Sequence, residues 1–168
     1  DFDQLFAWRT IRGNITYALR VARGVRDGAK ARARADAMLA LVDISRAAER
    51  FPPALSGGMK QRAAIARALA LEPARLLMDE PFGALDAITR AQLQLELRKI
   101  KATTAVTIVI VTHSIEEAIF LGDRVMVMSA HPARIREIVD TSSIHDFEAA
   151  GFPEAVLRLR DLLITESV

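Results

Sequence analysis

Hydrophobic positions recur at helical spacing through the front half of the chain. After an opening stretch without a clear period, residues 1–14, a helical pattern runs from residue 15 to residue 25. The alanine- and arginine-rich run 27–42 predicts an amphipathic helix. Phe51-Pro52-Pro53 interrupts helix formation, and a further helix is predicted from Gly57 or Gly58 to just before Pro73. These patterns predict three helices before residue 73.

Short apolar runs, each followed by polar residues, replace the helical pattern after residue 73, and helical patterns lie between them. The predicted elements are buried strands over 76–78 and 106–111, strands over 124–128 and 135–139, and helices over 87–101, 114–121 and 153–164. Because strands alternate with helices, we expect an α/β fold whose parallel sheet is covered by helices on both faces.

Composition and charge exclude several classes of protein. Half of the residues are hydrophobic and a quarter are charged, as in soluble globular proteins. The longest apolar run, 102–112, is far shorter than the ~20 residues that span a bilayer. The absence of cysteine excludes disulfides, thiolate metal sites and cysteine nucleophiles. Positive charge is concentrated at the front, where residues 1–34 carry eight basic and three acidic side chains.

A serine and two glycines stand at the predicted start of the third helix, in Leu55-Ser56-Gly57-Gly58-Met59-Lys60-Gln61-Arg62. Unpaired backbone N–H groups and the positive end of the helix dipole make such a helix start an anion site, and glycine lets a phosphate approach the backbone closely. A structural interpretation stays open, in which Ser56 is an ordinary N-cap and the glycines end the proline turn.

Acidic and histidine side chains follow the two predicted buried strands. Asp79 and Glu80 end the first strand, and His113 follows the second. Ligands of open α/β folds bind at the carboxyl edge of the sheet, where a strand-end aspartate suits magnesium and an adjacent acid can polarise water. The alternatives are a polar strand end before the turn at Pro81 and a structural histidine. His131 and His145 are interpreted as surface residues.

Together these motifs resemble the nucleotide-binding subunit of an ABC transporter. The chain contains LSGGMKQR at 55–62, LLMDE at 76–80, a D-loop at 82–86 and a switch histidine at position 113, in the order and at the spacing of that family. The sequence FDQLFAWRTIRGNI at 2–15 is similar to the nitrate, sulfonate and taurine importer branch.

The resemblance implies an ATPase site shared between two subunits. Ser56, Gly57 and Gly58 would contact the γ-phosphate of ATP held by the opposite subunit, with Gln61 nearby. Asp79 would bind Mg²⁺, Glu80 would orient or deprotonate the hydrolytic water, His113 would contact the γ-phosphate, and Asp86 would communicate across the dimer. These roles agree with phosphoryl transfer, which depends mainly on positioning and electrostatics.

The resemblance also implies an architecture and partners. We expect part of a P-loop NTPase-like α/β domain: residues 1–72 with the helical subdomain, 73–140 with the α/β core, and 141–168 as a tail with one helix. The subunit would form a homodimer, bind transmembrane permease subunits at the cytoplasmic face of the membrane, and serve a solute-binding protein indirectly. No nucleic-acid partner is expected.

The sequence departs from the family pattern at the phosphate-binding loop. No G-x-x-x-x-G-K-[ST] motif occurs, and none of the four lysines follows a glycine. Ser114 stands where aspartate is common and Ala7 where proline is common. Because the chain also opens on Asp1 rather than methionine, we expect an N-terminally truncated ATPase that is inactive alone.

Two other functions are open from the sequence. The basic front leaves open an ABC-type ATPase that acts on nucleic acid or in translation, because arginines can contact phosphate backbones, but here they alternate with alanines on a predicted solvated helix without interleaved aromatic residues. The missing phosphate-binding loop favours a non-catalytic interaction fragment.

Overall fold

The computed structural model describes residues 5–129, 132–144 and 146–164. The chain forms two compact units, Asp1–Val111 and Thr112–Val168. The three-part division expected from the sequence stays a prediction, and His131 and His145 lie outside the described residues. The helices are α1 (Ile11–Arg23), α2 (Gly28–Leu41), α3 (Gly57–Ala70), α4 (Ala87–Thr103), α5 (Ile115–Leu121) and α6 (Phe152–Ile164); the strands are β1 (Arg75–Asp79), β2 (Thr107–Val111), β3 (Arg124–Met128) and β4 (Ile135–Asp140).

The predicted helices of the front half are all present, but the first begins earlier than its apolar pattern indicates. Helix α1 starts at Ile11, and the hydroxyl of Thr10 accepts a hydrogen bond from the N–H of Gly13 at 3.0 Å. It ends at Arg23 because Gly24 adopts a left-handed conformation, with φ of 65°. The start at residue 15 was therefore wrong by one helical turn, because a hydroxyl cap and not an apolar residue sets it.

A buried asparagine ties the segment before α1 to that helix. Asn14 is fully buried, and its side-chain oxygen accepts a hydrogen bond from the N–H of Phe6 at 2.7 Å. Its side-chain amide donates to the carbonyls of Phe6 and Thr10 at 3.1 and 3.0 Å. One side chain thus satisfies the N–H of Phe6 and adds a second hydrogen bond to carbonyls that already accept a backbone N–H.

Several arginines of the basic front are engaged inside the first unit. Arg12 forms an ion pair with Asp36 at 2.6 Å, and Arg23 donates hydrogen bonds to the carbonyls of Leu71 and Glu72 at 2.7 and 2.9 Å. Both arginines therefore join elements that are distant in sequence. These contacts account for part of the positive charge that the sequence left open as a nucleic-acid surface.

The first unit contains a two-stranded parallel pair, β1 and β2, in which Asp79 is paired with Val111. Leu76 and Met78 of β1 are buried, whereas Leu77 is 78% exposed and Val109 of β2 is also exposed. The parallel pairing is as predicted. The predicted burial of both faces is wrong for the residues that the structure describes. Side chains of a strand alternate between faces, and only one face of this pair is covered.

The second unit contains an antiparallel ribbon and not a continuation of the parallel sheet. Strands β3 and β4 pair antiparallel, with Val125 opposite Val139. The short connection between them has too few residues for the crossover that a parallel pair requires. The core of this unit consists of Ile119, Val127, Val139, Phe152, Ala155 and Leu159.

Candidate functional site

The start of α3 has the geometry that the serine and glycines predict. Ser56 is the N-cap, and its hydroxyl accepts a hydrogen bond from the N–H of Met59 at 3.4 Å. The N–H groups of Gly57 and Gly58 belong to the first helical turn, which offers no intrahelical acceptors. Ser56 and Gly57 are exposed and Gly58 is buried. The helix start therefore presents an exposed backbone edge suited to an anion.

The two glycines let the start of α3 approach the start of α4. A side-chain carbon at Gly57 would lie 3.4 Å from a methyl group of Leu85, an ordinary contact distance. A side-chain carbon at Gly58 would collide with the Cγ2 methyl of Thr89. Gly58 is thus required by packing, which is the structural interpretation for that residue, whereas Gly57 has no such constraint.

We expect Gly58→Ala to lower the free energy of unfolding by about 1–2 kcal/mol, since a methyl group must be forced into a closed contact with Thr89. Gly57→Ala is the matched control and is expected to cost less, because its side chain reaches only Leu85. The comparison is made by urea denaturation of both variants.

The double variant Gly58→Ala with Thr89→Ser locates the cause of this cost. Serine lacks the Cγ2 methyl but keeps the hydroxyl, so it removes the collision. Most of the lost stability should return in the double variant. An equal loss with and without Thr89→Ser would show that the contact with Thr89 is not responsible.

Asp86 is the N-cap of α4 and links the D-loop to this contact. Its carboxylate accepts a hydrogen bond from the N–H of Thr89 at 3.0 Å. Hydrogen bonds from the side chain and the backbone of Thr89 lower the pKa of Asp86 below the ordinary aspartate value. The ionised, exposed carboxylate thus stands at the positive end of α4, and Thr89 connects it to Gly58.

Asp79 and Glu80 are both exposed at the carboxyl end of β1, as predicted. The backbone of Glu80 is left-handed, with φ of 41°, and its N–H donates to the carbonyl of Val111 at 2.9 Å. The carbonyl of Glu80 accepts from the N–H of Gly83 at 3.2 Å, and Phe82, only 1% exposed, anchors this turn in the core. The turn therefore holds the two carboxylates outward in a fixed backbone.

The described residues contain no group of three or more histidine or acidic side chains that could hold a metal ion by themselves. An exposed strand-end carboxylate nevertheless fits Mg²⁺, which uses one or two protein carboxylates together with water and substrate phosphates. Asp79 supplies such a carboxylate. A site of this kind would be completed by the nucleotide and not by further protein ligands.

Gln61 lies on α3 but not on its exposed edge. Its side chain is 4% exposed, and its Oε1 atom has no hydrogen-bond partner among the described residues. The following residue, Arg62, donates to the carbonyl of Val42 at 3.2 Å and forms an ion pair with Glu96. The structure therefore places Gln61 beneath the surface, whereas Ser56 and Gly57 are on it.

His113 belongs to the second unit, two residues beyond the end of β2, and it is exposed. Thr112 and Glu117 share a hydrogen bond beside it. The sequence interpretation overlooked both of these residues. The spacing Ser114-x-x-Glu117 is that of a capping box and was the signal available for Glu117.

The chain is similar in sequence to proteins of one family. A sequence model of the ABC transporter family matches residues 1–83. The chain is 46% identical over 149 residues to the taurine import ATP-binding protein of Rhizobium johnstonii, covering 89% of this chain and 56% of that protein. It is 47% identical over 129 residues to the nitrate import ATP-binding protein of Synechococcus elongatus, covering 77% and 47%. The chain spans about half the length of these relatives.

Solved structures show the same fold. A dimeric ATP-binding cassette in a post-hydrolysis state, bound to ADP and Pi, superposes with a TM-score of 0.66 at 31% identity, covering 82% of this chain and 59% of that one. A putative metal-chelate type ABC transporter in an inward-facing conformation gives a TM-score of 0.71 at 20% identity, covering 91% and 59%.

The parallel pair of strands, the helix that connects them and the similarity to a solved ATP-binding cassette define an α/β fold of the P-loop NTPase type. The signature motif, the strand-end acids and the similarities then narrow the class. The chain belongs to the ABC transporter family of ATP-binding proteins. No helix among the described residues has the length and hydropathy required to cross a bilayer.

Proposed function

We propose that the chain is part of an importer subunit that binds and hydrolyses ATP at a dimer interface and couples hydrolysis to solute transport. One observation carries the proposal. The exposed start of α3, at Ser56 and Gly57, packs through the two glycines on the start of α4, which Asp86 caps. The start of α3 thus offers an exposed anion-binding edge, suited to a phosphate held by a second subunit, and the Asp86 cap of α4 lies next to it on the first unit.

The residues at and near this surface then have distinct roles. Ser56 donates its hydroxyl, and Gly57 and Gly58 donate their backbone N–H groups, to the γ-phosphate of ATP bound by the partner subunit. Asp86 lies beside this surface and communicates across the dimer. Gln61 supports the helix start from beneath, since its side chain is buried.

We assign the steps of ATP hydrolysis to Asp79 and Glu80 at the end of β1 and to the switch histidine, His113. Glu80 orients the attacking water and accepts its proton, while Asp79 holds Mg²⁺ through the ion's water shell. Mg²⁺, when bound with ATP, neutralises the charge that develops on the phosphates. His113 donates a hydrogen bond to the γ-phosphate. Each group acts by position and charge, which supply most of the catalysis in phosphoryl transfer.

The partners follow from the taurine and nitrate import proteins to which the chain is similar. We propose a second ATP-binding subunit, membrane-embedded permease subunits and, indirectly, a solute-binding protein, with the subunit peripheral on the cytoplasmic face of the membrane. Helices α1 and α2 belong to the helical part that meets the permease.

The 168-residue chain alone is expected to bind ATP poorly and to show no magnesium-dependent ATPase activity. The reason is that its sequence has no G-x-x-x-x-G-K-[ST] segment to supply backbone amides and a lysine for the β- and γ-phosphates. A complete subunit, in which such a segment precedes this sequence, should hydrolyse ATP. Phosphate release by both proteins is measured with and without Mg²⁺. Activity of the chain alone that Glu80→Gln abolishes would contradict this expectation.

A further inference from the structure

A ring of hydrogen bonds encloses the backbone that carries His113. The N–H of Ser114 donates to the hydroxyl of Thr112 at 3.2 Å, and that hydroxyl donates to the carboxylate of Glu117. The N–H of Glu117 in turn donates to the hydroxyl of Ser114 at 3.2 Å. The residues on either side of His113 are therefore fixed, while its own side chain is exposed.

The ring is attached to the core of the second unit through α5. Glu117 is 6% exposed, and Ile119, two residues further along the same helix, is fully buried. The next residue, Phe120, stacks on Phe147 with ring centroids 4.5 Å apart. Because α5 is held by these contacts, Glu117 connects Thr112 to a rigid element and not to a free loop.

Capping of α5 does not depend on the carboxylate of Glu117. Ser114 already caps the helix, since its hydroxyl accepts from the N–H of Glu117. In a capping box the glutamate accepts from the N–H of the capping residue, but here the N–H of Ser114 is taken by Thr112. A buried carboxylate is costly unless it is well bonded, and this one accepts a hydrogen bond from the residue before His113.

We propose that Glu117 is a positioning residue for His113 and acts through the hydroxyl of Thr112. This inference rests on the proposed function, in which His113 donates to the γ-phosphate. The ring restrains the backbone before and after His113, so the point from which the imidazole extends is fixed before the nucleotide arrives. Such preorganisation increases the rate of the chemical step more than it increases the affinity for ATP.

The test compares variants of a complete ATP-binding subunit that carries these residues. Thr112→Val removes the hydroxyl and keeps the shape, and Glu117→Ala removes the carboxylate; both are expected to lower kcat on the order of 10-fold, with KM for ATP changed by less than about twofold. Thr112→Ser restores the hydroxyl and should keep kcat within about twofold of the parent. Glu154→Gln is the control, since Glu154 is an exposed glutamate on α6 of the same unit and lies outside the ring.

Three results would overturn the proposal. They are an unchanged kcat in Thr112→Val, an equal loss in Thr112→Ser, and a loss of kcat that only follows the loss of folded protein in thermal unfolding. Hydrogen exchange of the Ser114 and Glu117 amides tests the ring without ATP: faster exchange in Thr112→Val supports it, and unchanged exchange overturns it. Full turnover by His113→Ala would instead remove the proposed role of His113, so the two failures are distinguishable.

Discussion

Glu80→Gln is expected to lower the ATP turnover of a complete subunit by at least about 100-fold while leaving ATP bound in a closed dimer. Glutamine has nearly the shape of glutamate but cannot accept a proton from the attacking water. The turn around Glu80 is fixed by the hydrogen bonds to Val111 and from Gly83, so the amide should occupy the position of the carboxylate. Single-turnover hydrolysis and the nucleotide retained after gel filtration measure the two effects separately.

Glu72→Gln is the matched control for this variant. Glu72 is also an exposed glutamate with a left-handed backbone, with φ of 48°, and it pairs with Arg34 at 3.2 Å. Its replacement removes the same charge from the same backbone conformation and should leave turnover unchanged, since an exposed ion pair contributes little. Turnover by Glu80→Gln equal to that of this control would exclude Glu80 from the catalytic role.

Asn14→Ala is expected to lower the free energy of unfolding by about 1–3 kcal/mol. The substitution removes the acceptor for the N–H of Phe6, and an unsatisfied buried donor costs about that much, whereas the carbonyls of Phe6 and Thr10 keep the backbone N–H groups that they also accept. The segment before α1 should then detach from the helix. Urea denaturation measures the change in stability.

Thr16→Ala tests whether the cost is specific to the buried network. The hydroxyl of Thr16 donates to the carbonyl of Gly13 at 3.2 Å on the same helix but is only half-buried. Its loss should change stability by less than about 0.5 kcal/mol. Similar costs for the two variants would show that Asn14 contributes no more than an ordinary helical side chain.

Elements set by local chemistry were predictable from the sequence. Helix α3 could be bounded because Ser56 and the glycines mark its start and Pro73 lies just beyond its end. The parallel pairing of β1 and β2 followed from the helix between them, whose length is that of a crossover. The position of Asp79 and Glu80 was predictable for the same reason, since residues that end a parallel strand lie at the carboxyl edge of the sheet.

Features that depend on contacts distant in sequence were not predictable. The start of α1 was missed for a different reason, because it is set locally by polar side chains, Thr10 and Asn14, and not by an apolar pattern. The prediction that both faces of the strands are buried was wrong, because side chains along β1 alternate between a covered face and an exposed one. The closeness of Gly58 to Thr89 and the burial of Gln61 also required the packing of α3 on its neighbours.

The left-handed backbone of Glu80 lowers the stability of the fold at the end of β1. A residue with a Cβ atom is strained by about 1–2 kcal/mol in that conformation, whereas glycine and asparagine tolerate it better. Glycine at position 80 should therefore stabilise the fold while removing the carboxylate. On the proposed catalytic role of Glu80 the strain is a trade of stability for activity, whereas Glu72 carries the same strain without such a role, so a left-handed backbone does not by itself identify a catalytic residue.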